Sequence, residues 1–196
     1  MPTNKFSEGK LIIMGIDPGL NATGYGVIAA QEGRVQFLTA GTIRPPANQP
    51  LANRLVFLYE ALARVIEAHQ PRTVVLEELF THHRYVTTAT MMAHARGVAS
   101  LLSAQHHVPV VDYPPTRVRK ALAGYGSASK EQVARVVGAW LGVEDPSWST
   151  DATDALALAI AHAHISEATS RYRGLERTRR RPFVALGGTM RWSGKP

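Results

Sequence analysis

LIIMGID, residues 11–17, is a continuous apolar run that ends on a carboxylate. A run of this length with no polar interruption reads as a strand buried on both faces, as at the centre of a helix-covered sheet. GYGVIAA (24–30) and VQFLTAGTI (35–43) follow at hairpin spacing, with the turn around residues 31–34. Short apolar runs separated by turn residues predict an antiparallel meander of three strands.

Beyond the meander the period changes. Apolar residues at 51, 55, 58, 62, 65 and 66 keep helical spacing, so 50–69 reads as an amphipathic helix that Pro71 closes. TVVLEEL (73–79) is a second buried strand, and the Ala-, Met- and Leu-rich stretch 84–105 is a long helix. PVVDY (109–113) is a short strand stopped by Pro114-Pro115, and 116–123 is helical. GYGSAS (124–129) is a glycine-containing loop whose Ser129 is placed to cap a helix through Trp140. After a turn at Asp145-Pro146, apolar residues at 152, 155, 156, 159, 160 and 163 mark a last helix with Ser149 or Thr150 as its cap. The order β-β-β-α-β-α-β followed by helices predicts an α/β protein: a mixed five-stranded sheet flanked by helices, the order of a ribonuclease-H-like fold.

A chain of 196 residues, 45% of them hydrophobic, suits one sizeable domain with a real core. Cysteine is absent, which excludes disulfides, thiolate chemistry and zinc–cysteine sites. Without a signal-like N-terminus or an apolar run long enough to span a bilayer, the expectation is a soluble cytoplasmic protein with no membrane partner. The net charge of +7 is unevenly placed. Residues 166–196 hold eight Lys or Arg against Glu167 and Glu176, which leaves +1 for the rest. The expected organisation is an extension at 1–10, a folded domain at 11–165 and a flexible basic tail at 166–196. Such a tail attracts polyanions, of which nucleic acid is the commonest inside cells.

The acids are the chemically suggestive residues. Asp17 ends a buried strand, where an unpaired carboxylate is costly, and Pro18-Gly19 after it form a turn that brings backbone close to whatever the carboxylate binds. Within VVLEEL one of Glu77 and Glu78 must face inward, and pleat parity alone cannot choose between them. Asp151 and Asp154, at i and i+3, share one face of the last helix in its first turn. Each acid alone has a bland reading, as a turn cap, a structural ion pair or a helix-dipole acid. Gathered by strand ends and a helix start, they would repel one another unless cations intervened. Mg²⁺ prefers such hard oxygen ligands. Two ions about 3.5–4 Å apart would activate water and stabilise the leaving oxygen of a phosphodiester, with no protein nucleophile.

GIDPGLNATGYGVI (15–28), VVLEELF (74–80), ARGVA (95–99), GYGSASKEQV (124–133) and DATDALALAIAHAH (151–164) together resemble, in order, the RuvC family of Holliday-junction resolvases. The resemblance spans about residues 11–165. It implies a ribonuclease-H-like fold, a homodimer, and Mg²⁺-dependent (with Mn²⁺ as substitute), paired symmetrical nicking of four-way DNA junctions in recombination and repair. The cuts would leave 5′-phosphate and 3′-hydroxyl ends, and the RuvA–RuvB branch-migration complex would be a partner. By motif position Asp17, Glu77, Asp151 and Asp154 would be the catalytic metal ligands, which selects Glu77 over Glu78. Phe80 matches an aromatic residue that the family places against junction bases, and Lys130 a lysine near the cleaved phosphate. Arg119 stands where a lysine is common, with Arg117 and Lys120 reinforcing the same basic edge. Arg96 has two readings, a DNA contact or a dimer contact.

Other readings are weaker. His82-His83 and His106-His107 are adjacent pairs and His162 and His164 lie two apart, so none has the i, i+4 spacing of a helical zinc pair. GYGSASK lacks the glycine-to-lysine spacing of a phosphate loop. An actin-like nucleotide binder also carries a GIDPG-like loop, but needs a second lobe that this length does not easily hold. A non-catalytic junction scaffold would not need all four acids.

Overall fold

The three N-terminal apolar runs form β1 (Leu11–Asp17), β2 (Thr23–Gln31) and β3 (Arg34–Ile43), an antiparallel meander. The structure is a computed structural model that describes residues 9–78, 86–143 and 147–179. Helix α1 (Leu51–His69) then crosses to β4 (Thr73–Glu77), and α2 (Val86–Gln105) to β5 (Val110–Tyr113). Three helices follow: α3 (Pro115–Ala123), α4 (Lys130–Leu141) and α5 (Thr150–Arg179). The five strands lie in the order β3-β2-β1-β4-β5, with β4 and β5 parallel to β1. This is the expected mixed sheet.

Helices cover both faces. On one, Leu58, Leu62 and Ile66 of α1 and Ala95, Ala99 and Leu102 of α2 pack on Met14, Ile16, Val27, Val74 and Leu76. On the other, α3, α4 and α5 pack on Ile13, Ile28, Val75 and Tyr113. Every residue from Ala155 to Ala163 is buried. The apolar stripe expected of α5 is therefore an all-round surface, because the helix is enclosed by the sheet, α3 and α4.

Glycine and alanine bring α5 unusually near the strands. Gly15 pairs with Gly26 and Asp17 with Gly24 across β1 and β2. A Cβ added at Gly15 would overlap the carbonyl oxygen of Ala155, and one at Gly24 that of Asp151. One at Gly26 would meet the side chain of Leu156. The bare stripe formed by these glycines is what lets the backbone of α5 rest directly on the sheet.

Local capping follows the sequence. Ser129 and Gln132 form a reciprocal capping box at the start of α4. Ser149, rather than Thr150, takes the amide of Ala152 (3.2 Å), and its hydroxyl also bonds the hydroxyl of Thr42. Gln70 closes α1 in a left-handed conformation just before Pro71. The boundary expected at residue 165 is not a break, because α5 continues to Arg179. The second buried strand ends at Glu77 rather than at residue 79.

Candidate active site

β1 and β4 run parallel in the register Ile16 to Leu76, so Asp17 and Glu77 come next, side by side, at the carboxyl ends of adjacent strands. Such ends are where open α/β sheets place their ligand sites. Val75 packs towards α5 and Leu76 towards α1 and α2, so alternation turns Glu77 to the α5 side. Glu78 is exposed, and its amide donates to the Tyr113 carbonyl at 2.9 Å. The face left undecided by parity is thereby assigned.

Asp17, Glu77 and Asp154 line one cavity of about 270 Å³ together with Arg119 and Lys130. Lys130 Nζ donates to Asp154 Oδ2 at 2.9 Å. Asp151, one turn earlier on α5, is not among the lining residues. Its Oδ2 lies 3.6 Å from Arg44 Nη2. The turn behind Asp17 is stiffened from two sides. Thr23 donates its hydroxyl to the Gly19 carbonyl at 2.6 Å, and Arg54 donates to the Leu20 carbonyl and to Asn21 Oδ1, both at 2.9 Å.

Burial pushes the Asp17 carboxyl up from 3.8 to about 7, and the charges of Asp154, Glu77 and Asp151 add to the effect against Lys130. Glu77 is raised as well, chiefly by burial and then by Asp154, with Lys130 and Arg119 opposing. Lys130 is raised, first by its hydrogen bond to Asp154. The donor set is all carboxylate oxygen and in mutual repulsion, which fits a hard divalent cation. As they stand, no three His, Asp or Glu side chains among the described residues gather tightly enough to enclose an ion.

The other expected residues fall around this centre. Arg119 is half-buried on the cavity wall, whereas Arg117 and Lys120 are exposed on α3 outside it. The Arg117 guanidinium lies 5.0 Å from the centre of the Tyr113 ring. Phe80 lies outside the described residues.

Arg96 makes two contacts within the chain. Its Nη1 donates to the Glu77 carbonyl at 2.7 Å, and its Nη2 pairs with Asp112 Oδ1 at 2.6 Å, joining α2 to the ends of β4 and β5. The histidines of α5 are engaged separately. His162 Nδ1 shares a 2.9 Å hydrogen bond with the Tyr113 hydroxyl, and His164 meets the Trp140 ring edge-on. Sequence reasoning missed Arg44 and Arg54. Both are single arginines with no periodic or motif signal; the folded topology alone brings Arg44 to Asp151 and Arg54 to the turn behind Asp17.

The family model of crossover junction endodeoxyribonuclease RuvC matches residues 13–162, from within β1 to within α5. The chain belongs to the RuvC family. RuvC of Bradyrhizobium diazoefficiens is 40% identical over 163 residues, which is 83% of this chain and 92% of that protein. The Thermus thermophilus RuvC structure superposes with a TM-score of 0.76 at 30% identity, covering 81% of this chain and 97% of that one. The same RuvC in complex with Holliday junction substrate superposes at 0.77, also at 30% identity, covering 82% and 97%. The fold is thus that of the RuvC nucleases, and the chain is a crossover junction endodeoxyribonuclease.

Proposed function

We propose that this chain resolves four-way DNA junctions by hydrolysing a phosphodiester in each of two strands, with Asp17, Glu77, Asp151 and Asp154 holding one or two Mg²⁺ ions per subunit. Mn²⁺ would substitute. The observation that carries the reading is the convergence of Asp17, Glu77 and Asp154 on one cavity whose remaining charged groups are Lys130 and Arg119. The Thermus relative seen with Holliday junction substrate supports the choice of DNA.

The division of labour follows from the side chains. A bound divalent cation supplies an acidified water and neutralises charge on the phosphate. Asp17 and Glu77 must be ionised to serve as ligands, and the stiffened turn behind Asp17 fixes its carboxylate beforehand. Lys130 and Arg119 present donors to the non-bridging phosphate oxygens, Lys130 exchanging Asp154 for phosphate when substrate enters. Among the described residues the cavity lining contains no serine, threonine or cysteine, in keeping with water as the nucleophile. Products would carry 5′-phosphate and 3′-hydroxyl ends.

A homodimer would present two such sites to the two-fold symmetry of the junction. Phe80 would stack on junction bases, a contact worth about 1–3 kcal/mol per base. Arg117 and Lys120 would extend the phosphate-binding edge, residues 166–196 would add a sequence-independent tether, and a RuvA–RuvB complex would act alongside. The deciding experiment incubates a mobile four-way junction with Mg²⁺ or Mn²⁺ beside a linear duplex and an Asp154→Asn control. Paired symmetrical nicks on the junction alone, lost in the variant, are the expected result. Tight junction binding without cutting would replace this reading with a scaffold role.

A further inference from the structure

We infer that Arg44 is a second phosphate-binding pole of the site, contacting the DNA backbone from the β3 edge while Arg119 and Lys130 contact it from the other side of the acids. This rests on the junction-cutting reading and extends it to a residue with no role in it so far.

Topology supplies the first observation. Arg44 directly follows β3, one edge of the sheet, whereas Arg119 belongs to the helix that follows β5, the other edge. Asp17 and Glu77 lie on the strands between. Lys130 meets Asp154 on one side of this acid group and Arg44 meets Asp151 on the other. Among the described residues, Arg44 pairs with these acids from the β3 side and Lys130 from the other.

The second observation is how firmly Arg44 is placed. The Thr42 and Ser149 hydroxyls are hydrogen bonded, fastening the end of β3 to the residue that caps α5, two positions before Asp151. Pro45 follows directly, and a residue before proline is confined to extended conformations. The side chain therefore starts from a fixed point beside the acids.

The third observation is what the ion pair leaves free. Arg44 is 61% exposed and approaches one carboxylate oxygen of Asp151 at 3.6 Å. A pair so exposed and so long adds little to stability. The guanidinium has five donors in a planar fork suited to phosphate, and this contact satisfies few of them. The Asp151 pair keeps the group aimed at the site without consuming its capacity to bind.

The test compares full-length wild type, Arg44→Ala, Arg44→Lys and Lys130→Ala. Junction affinity is measured without divalent ions over a salt series, and single-turnover cutting with Mg²⁺ at saturating protein. Losing one phosphate contact should make the slope of log affinity against log salt shallower by about one. Arg44→Ala should show that change and bind about fivefold more weakly at moderate salt, the scale of one exposed charged contact. Arg44→Lys should restore the slope. The melting temperature of Arg44→Ala should stay near wild type. An unchanged slope in Arg44→Ala beside a shallower one in Lys130→Ala would overturn the inference and leave the site reading standing. Loss confined to the cutting rate would also overturn it, making Arg44 only a counter-ion of Asp151. Failure of the wild type to bind junctions would instead overturn the junction reading itself.

Discussion

Asp17 is held in a state that its unfolded chain does not share. Its folded pKa, about 7, lies above the 3.8 of a free aspartate, so folding takes up a proton between those values. Stability is therefore lost as pH rises from about 4 to about 7, and above that the full cost of a buried charge is present. Asp17→Asn should stabilise the metal-free protein at pH 8 by roughly 1–4 kcal/mol, an advantage that fades towards pH 4. Denaturant midpoints at the two pH values check this; an equal effect at both would mean that ionisation is not the source. The same substitution should abolish cutting. A proton also competes for this carboxylate, so the Mg²⁺ concentration required for cutting should rise as pH falls below about 7.

Arg96 makes a different prediction at the same scale. It fixes the Glu77 carbonyl without touching the cavity, so it positions rather than reacts. Arg96→Lys keeps the charge but cannot span Glu77 and Asp112 with two bonds. It should raise the Mg²⁺ requirement and slow cutting about tenfold, as loss of supporting contacts does at metal sites. A fall in melting temperature with an unchanged Mg²⁺ requirement would make the contact merely structural. The contacts Arg96 makes within the chain were not legible, because its partners are backbone and a β5 acid that only the parallel register brings near. Asp17 was legible, since a carboxylate ending an apolar run is conspicuous. Glu77 was legible only through its resemblance to a family motif, and the structure supplies the missing parity.

Among the elements, α5 carries the greatest structural demand. Its alanines and its acids were visible as a helix with a charged first turn. The reason for Gly15 in β1 and for Gly24 and Gly26 in β2 was not visible, because the backbone they receive lies more than 120 residues further along the chain. Gly24→Ala would place a methyl group against the Asp151 carbonyl. With backbone on both sides, relief requires α5 to lift. Destabilisation of about 2 kcal/mol or more is expected, the scale of overpacking in a rigid core. Cutting should fall further than stability alone explains, because Asp151 and Asp154 move with the helix. Urea unfolding, with junction cutting measured where the variant is still folded, separates the two.

At the scale of the molecule, charge placement matters more than net charge. The basic excess at residues 166–196 was legible as composition, but its boundary was not, since α5 runs on to Arg179. A helix continuing past the core offers no hydrophobic stripe to mark where packing ends. Truncation after Arg179 removes Arg180, Arg181, Arg191 and Lys195 and no acid. If these residues tether DNA, binding to junction and to linear duplex should weaken alike, with shallower salt slopes, while the cutting rate of bound junction persists. A loss restricted to junctions would assign the segment to structure recognition instead.

The order of the acids along the chain has its own consequence. Asp17 and Glu77 belong to the first half of the sequence, whereas Asp151 and Asp154 ride on the last helix, which reaches them only by settling onto the glycine stripe of β1 and β2. Synthesis from the N-terminus delivers the residues of all five strands before the second pair of acids. The four carboxylates become neighbours only when α5 docks, so assembling the cluster is the same event as closing that face of the fold.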